Sequence, residues 1–361
     1  MNLVYFITGM GIGGAEQIVR DLSLRFANND NNVTIIILSG NPVNLPIHKN
    51  IKIINLYFKK NIFYLPILLN KILKLLKKIN PDIIHSHMFH ANIIARLLKI
   101  FYNNTILICS AHSNNEGGKL RMFLYRLTNF LGDEFINVSK DAVLVFEKKN
   151  AVAVNKMKFI YNGIDLEKFR FSDKNIDYFN KYSPKFLIVG SLTELKDHKN
   201  LLNAFSLVKK NIPNAKLIIV GDGPLKNYLL KYTSKLNLTE SVEFYGIRND
   251  IPELMRESNI LVLSSSHEGF GIVLAEALAS GLLVVSTDCG GSKEVLGDSR
   301  FLAPVRDSFI LAELMIKATE LSKDERKDIL FSGRKRVSDF FDIEKIYLQW
   351  NQLYNLKMMT K

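Results

Sequence analysis

The sequence predicts an α/β fold of two doubly wound parallel sheets, and three observations lead there. Its 361 residues exceed one ordinary core and suit two domains of roughly 150–180 residues each. Short apolar runs alternate with helical stretches along nearly the whole chain, as parallel strands and their crossover helices do. Several runs break into glycine or small polar residues just before a helix, the place where the carboxyl edge of such a sheet meets a ligand.

The first series opens with a strand at 3–8, a helix at 15–28 and the β-branched strand VTIIIL at 33–38. A helix at 66–79, a strand at 82–85, a helix at 91–101 and an extended run at 106–110 follow. The turn signal Tyr161-Asn-Gly-Ile-Asp165 comes next, then the polar tract 172–183, which is the expected linker. The second series begins at Lys185 with FLIVG, a helix at 200–211, KLIIVG, a helix at 225–236, VEFYG and a helix at 251–257. It closes with ILVLS, the helix after Gly271 and LLVVST. An amphipathic helix with Trp350 spans 343–356, beyond the second sheet. The expected domains are therefore 1–170 and 184–338, with 339–361 as a C-terminal helical segment.

Composition narrows the function classes. With 47% hydrophobic and 23% charged residues the chain reads as folded. Cys109 and Cys289 have no partner at metal-ligand spacing, so reduced thiols and a cytoplasmic setting are expected. The opening MNLVYFITGM lacks a basic n-region, and no apolar run approaches 18 residues, so neither a signal peptide nor a membrane span is expected. The net charge of +13 is uneven: residues 49–126 hold thirteen Lys or Arg against two acids, Asp82 and Glu116. Inside it, residues 57–80 mix lysines with apolar residues at roughly helical spacing, a pattern suited to an anionic membrane surface. An ordinary surface helix with lysines on its wet face is the alternative. No nucleic-acid-binding motif accompanies the charge.

The most informative segment is SSSHEGFGIVLAEALASG at 264–281. An apolar strand breaks into a polar turn, two glycines follow, and a helix opens. Glu268 lies in the turn and Glu276 in the second helical turn, so both can face one crevice, where a sugar diol would satisfy a buried carboxylate. The N-terminal turn Thr8-Gly-Met-Gly-Ile-Gly-Gly-Ala-Glu16 meets G-x-G-x-x-G through Gly9, Gly11 and Gly14. A dinucleotide site also needs an acid ending the next strand, and VTIIILSGN has none. What remains is a close backbone approach to a ligand, with the helix dipole aimed at an anion.

Three histidines, His85, His87 and His90, follow the third strand at poor zinc spacing, and polar or core positions suit them better than a metal. His112 stands directly beyond the strand TILICSA, at the ligand-binding edge. Lys196 and Lys199 lie in a strand-to-helix loop after Val189-Gly190-Ser191, where Lys196 can point at phosphates as they leave. Gly221-Asp-Gly-Pro224 is a tight turn, and no Asp-x-Asp pair occurs anywhere.

Together these motifs resemble the retaining glycosyltransferases of family four, which have the GT-B fold: two Rossmann-like doubly wound parallel-sheet domains with an interdomain cleft. The matching pieces run in family order. They are GGAE at 13–16, HSH at 85–87, YNGID at 161–165, VGSL…K at 189–196, GDGP at 221–224, the pair Glu268 and Glu276, and GGxxE at 290–294. The resemblance implies transfer of a sugar from a nucleotide diphosphate donor, UDP favoured, with retained configuration and with no cofactor or metal required. It makes 1–170 the acceptor side and 184–338 the nucleotide-sugar side, with the last helix crossing back. By family pattern Glu268 contacts the sugar hydroxyls and Glu276 the ribose. Backbone N–H groups of Phe270, Gly271 and Ile272 hold the diphosphate or sugar, Lys196 neutralises the leaving phosphates, and His112 reaches the sugar. Gly13 and Gly14 approach the donor phosphates or acceptor.

One departure stands out. The family often carries Arg where this chain has Ser191, so Lys196 or Lys199 must do more of the phosphate clamping. The expected protein is a peripheral enzyme on the cytoplasmic membrane face, elongating a bacterial surface glycan on a lipid-linked acceptor. Its alternatives are a nucleotide-sugar epimerase, a phosphorylase needing pyridoxal phosphate, or an inactive nucleotide-sugar-binding scaffold.

Overall fold

The computed structural model describes residues 1–43, 45–58, 62–114 and 116–360, so Lys59 and Lys60 of the basic run lie outside the described residues. The chain forms two compact units, one of Met1–Gly163 with Glu344–Lys361 and one of Ile164–Ile343.

The first unit carries β1 (Asn2–Ile7), β2 (Asn32–Ile37), β3 (Ile51–Asn55), β4 (Ile83–His87), β5 (Ile106–Ser110), β6 (Glu134–Asn137) and β7 (Met157–Phe159). They form one parallel sheet in the order β3-β2-β1-β4-β5-β6-β7. Its central strands are covered on both faces, which is why NLVYFI and NVTIII read as continuous apolar runs rather than alternating ones. Helix Ile343–Met359 contributes its residues from Glu344 onward to this unit. Tyr354 stacks on Phe26 at 5.1 Å, Tyr347 meets that ring edge-on at 4.8 Å, and Lys357 pairs with Glu134 at 2.7 Å.

The second unit carries β8 (Lys185–Val189), β9 (Lys216–Val220), β10 (Val242–Gly246), β11 (Ile260–Leu263), β12 (Leu283–Thr287) and β13 (Leu302–Ala303). These too are parallel, in the order β10-β9-β8-β11-β12-β13. Helices His198–Asn211 and Ser308–Glu320 bury Leu201, Phe205, Leu311 and Met315 in a core shared with Phe186, Ile188 and Val262.

Two expectations are corrected. The polar tract 172–183 belongs within the second unit. Its short helix Lys174–Asp177 buries Asn175 and Ile176, and Asn175 Nδ2 donates to the carbonyls of Ser258 and Gly281 at 3.2 and 3.0 Å. Those buried bonds outweigh its polar composition, and the boundary falls instead between Gly163 and Ile164. The first sheet is also larger than the sequence pattern indicated, because β3, β6 and β7 are edge-side strands of three to five residues. Residues 66–79 form the expected helix, Leu65–Ile79, which Leu68, Ile72 and Leu76 anchor in the first unit. Its outer face shows Lys71, Lys74, Lys77, Lys78 and an exposed Ile67. Among the described residues no helix is long and apolar enough to cross a membrane.

Candidate functional site

Strand order reverses between β8 and β11 in the second unit, which is where open α/β sheets form a crevice. These strands pair over only two residues, Ile260 with Phe186 and Leu261 with Leu187, so the loops beyond them are free to part. The β8 loop ends in the turn Glu194–Lys196, and Asp197 then adopts φ +45° while its carboxylate caps the next helix at Asn200 N, 3.2 Å away. A non-glycine residue in this left-handed conformation is a local strain of the sort found at functional sites.

That geometry delivers Lys196 to Glu268. Lys196 Nζ lies 2.5 Å from Glu268 Oε1, and Ser265 Oγ donates to the same oxygen at 2.7 Å. Glu268 is held from behind, its N–H donating to Cys289 O at 2.7 Å, and Thr287 Oγ1 donates to Ser265 O at 2.6 Å. Ser264 Oγ donates to Lys196 O at 2.8 Å, joining the two loops directly. The Glu268 charge also bears on Cys289, whose thiol is pushed up to about 11, by burial first and that carboxylate second.

Glycines let these loops close. A Cβ on Gly291 would stand 2.5 Å from Gly269 O and 2.7 Å from Phe270 Cα, so the β12 loop can pass only without one. Gly271, at φ +84°, starts helix Ile272–Ser280 with no side-chain cap, so the first-turn N–H groups of that helix are the donors its end presents. Phe270 is buried edge-on against Phe341 at 5.2 Å, and Glu276 is buried in the second turn. A Cβ on Gly221 would come within 1.9 Å of Gly190 O, which makes the GDGP turn the support for the Gly190–Leu192 backbone. Ser191 is exposed on top of that support. Lys199 does not join it: its ammonium lies over the Tyr232 ring at 5.7 Å, so Lys196 alone of the two lysines meets Glu268.

In the first unit the order reverses between β1 and β4. The loop after β1 carries Gly13 and Gly14, and helix Gly14–Asn28 starts there without a side-chain cap. Its nearest anion is its own: a Cβ on Gly13 would lie 2.5 Å from Glu16 Oε2. Burial raises the Glu16 pKa, against hydrogen bonds from the Glu16 and Gly11 amides. The expected anion site at this dipole is thus shared with a carboxylate of the chain.

After β4 and β5 come the histidines. His85 bonds Tyr354 Oη through Nδ1 at 2.6 Å and Ser110 Oγ through Nε2 at 2.7 Å, with the Trp350 ring 4.5 Å away, so it is a satisfied core residue. His87 Nδ1 meets His112 Nε2 at 2.9 Å. Among the described residues, His87 Nε2 and His112 Nδ1 have no hydrogen-bond partner. Burial lowers the His112 pKa to about 4 even though the residue keeps some exposed surface, and it holds His85 and His87 well below 6.5, so all three are neutral at neutral pH. Among the described residues no three His, Cys, Asp or Glu side chains gather as a metal site. Sequence reasoning assigned no role to Ser265, Thr287, Glu116 or Tyr125; of these Ser265 left a signal as part of the polar turn before Glu268, and Glu116 as one of two acids in the basic stretch.

Two parallel sheets of this topology, each with its loops of interest at a strand-order reversal, make up the GT-B fold. The model of "Glycosyl transferases group 1" matches residues 170–336 and that of "Glycosyltransferase Family 4" residues 12–168. An uncharacterised glycosyltransferase of Methanocaldococcus jannaschii is 32% identical over 78% of this chain and 81% of its own length. The N-acetylgalactosamine-N,N'-diacetylbacillosaminyl-diphospho-undecaprenol 4-alpha-N-acetylgalactosaminyltransferase of Campylobacter jejuni is 30% identical, covering 83% of this chain and 84% of that one. Among solved structures, Anabaena HepE in complex with UDP superposes with a TM-score of 0.82 at 20% identity, over 98% of this chain and 100% of that chain. The chain belongs to glycosyltransferase family 4 and is an enzyme of the hexosyltransferase type.

Proposed function

We propose that the chain moves a hexosyl unit from a UDP-sugar to a hydroxyl of a lipid-linked glycan during assembly of a bacterial surface polysaccharide, with retention at the anomeric carbon and without a metal. The observation that carries this is the Lys196–Glu268 pair at the strand-order reversal of the second unit. Lys196 would exchange its carboxylate partner for the diphosphate, stabilising charge as the anomeric C–O bond to phosphate breaks. Glu268 would then take the sugar hydroxyls, Glu276 the ribose diol, and the N–H groups of Phe270, Gly271 and Ile272 the diphosphate or sugar. His112 would meet a sugar hydroxyl with Nδ1, the nitrogen that has no partner among the described residues. The Gly13–Gly14 loop would approach the donor or acceptor.

The acceptor hydroxyl attacks the face that the phosphate leaves. A new C–O bond forms as the old one breaks, and the departing phosphate oxygen takes the hydroxyl proton. A UDP donor is supported by the UDP complex of the structurally similar HepE, and a lipid diphosphate acceptor by the name of the Campylobacter relative. The exposed lysines of helix Leu65–Ile79 support work at an anionic membrane surface; failure to sediment with anionic vesicles at low salt would remove that part.

Thermal melting with UDP, GDP, CMP and NAD tests the donor class. A nucleotide at about 100 times its dissociation constant adds roughly 2.7 kcal/mol to the native state. UDP is expected to raise the melting temperature and NAD to leave it unchanged. Stabilisation by none of the four would leave the nucleotide-sugar reading without support.

A further inference from the structure

The loop that carries His112 is tied to the interior by a half-buried carboxylate to which the reaction above gives no role. Glu116 Oε1 accepts the His112 backbone N–H at 3.1 Å, and Oε2 accepts the Tyr125 hydroxyl at 2.5 Å. Its backbone carbonyl accepts from Arg121 Nη1 at 2.9 Å. The chain continues inward, since Asn92 Nδ2 donates to Tyr125 Oη at 3.0 Å and to Ser110 O at 2.9 Å, while Ser86 Oγ donates to Asn92 Oδ1 at 2.7 Å. Arg96 closes the back of it, Nη1 donating to Tyr125 O at 3.0 Å and the guanidinium lying 4.8 Å over the Tyr125 ring. Ser86, Asn92, Arg96 and Tyr125 are each at most 2% exposed. The network therefore runs from the core of the sheet to one backbone amide, that of His112.

Taking a carboxylate partly out of water is costly unless it is hydrogen-bonded, and a hydrophobic pair could brace this loop at lower cost. What the carboxylate adds is direction, because it fixes a particular N–H and with it the ring that follows. The His112 ring is already held from its other side by His87 Nδ1. The geometry points to Glu116 as a positioning residue that sets the His112 imidazole for the donor sugar, with Tyr125 and Asn92 fixing Glu116 in turn. This rests on the donor-side role of His112.

The test is a double-substitution cycle on the full chain. Turnover is read as UDP released from whichever of UDP-glucose, UDP-galactose and UDP-N-acetylglucosamine the wild-type chain uses fastest. Glu116→Ala should lower turnover by about tenfold or more, as small misplacements of reacting groups do. Glu116→Gln keeps the shape and an acceptor for the amide but turns a donor toward Tyr125, so it should fold normally and cost less. Neither change should lower turnover further in a His112→Ala background, and UDP should still raise the melting temperature of every variant. Equal losses with and without His112 would show that Glu116 acts through the fold alone and overturn the proposal, as would full turnover in both Glu116 variants. Full turnover in His112→Ala would instead remove the role of His112 itself, and the proposal with it.

Discussion

At its strand-order reversal the second unit presents an ion pair, Lys196 and Glu268, 2.5 Å apart. At the corresponding edge of the first unit His87 and His112 stand 2.9 Å apart, rings that burial keeps neutral. One arrangement can answer a charge that develops during a reaction. The other supplies hydrogen bonds without adding charge. Two sheets built on strand-order reversals thus present different chemistry there, and the difference lies in burial as much as in residue type.

The largest effect should come from breaking the charged side. Lys196→Ala removes the cation and leaves Glu268 with Ser265 as its remaining partner at Oε1. Transfer should fall by about 10²–10³-fold, the range for losing a preorganised electrostatic contact. Lys196→Gln should fall as far, since it keeps most of the stem and loses the charge. A loss under tenfold in steady-state kcat/KM would mean that phosphate charge is met elsewhere, and the contrast between the units would lose its meaning.

How much of this was legible beforehand follows the same division. The charged side could be read because its parts are local: Glu268, Phe270, Gly271, Ile272 and Glu276 fall within nine residues, and the strand before them is an unbroken apolar run. The Lys196–Glu268 contact spans 72 positions, so only the strand order could reveal it. On the neutral side, His112 was recognised from its place beyond a strand. Its support was not, because Asn92, Tyr125 and Glu116 come from two helices and a loop whose meeting depends on packing. Helix Lys119–Thr128 itself went unnoticed, a ten-residue segment that buries only Met122 and Tyr125. The tract 172–183 misled in the opposite sense, since its Asn175 serves two buried backbone carbonyls.

Acid should separate the units next. A histidine with a lowered native pKa binds its proton more readily when unfolded, so stability rises with pH between the two pKa values. It is therefore lost as pH falls below about 6.5, continuing to about 4 for His112 and His198, by about 1.4 kcal/mol per pH unit for each. Burial lowers three histidines in the first unit, His85, His87 and His112, and His198 in the second. Glu116 opposes this, because burial raises its pKa and the native state takes up its proton first. Trp350, the single tryptophan, sits 4.5 Å from His85 and reports on the first unit. Urea midpoints read by its fluorescence should drop below those read by far-ultraviolet circular dichroism as pH goes from 7 to about 5. Coincident midpoints at every pH would show that the units unfold together or that the histidines are not the controlling groups.

The smallest effect sharpens the charged side. Ser191 is exposed on the backbone that the GDGP turn supports, and Gly190 beside it packs on the Lys196 stem, where a Cβ would lie 3.4 Å from Cε. An arginine here would bring a second cation to the region assigned to the diphosphate. Its charge-assisted bond is worth roughly 1.5–3 kcal/mol at best. Repulsion by Lys196 and solvent screening take back part of that, which leaves UDP binding tighter by about three- to tenfold. The gain should shrink as salt rises from 0.05 to about 0.5 M, because an exposed guanidinium is screened. Calorimetric titration of Ser191→Arg with UDP at both salts measures it. Unchanged affinity at low salt would place the diphosphate away from the Gly190–Leu192 backbone, and the work of clamping would then rest on Lys196 and the Gly271 helix start.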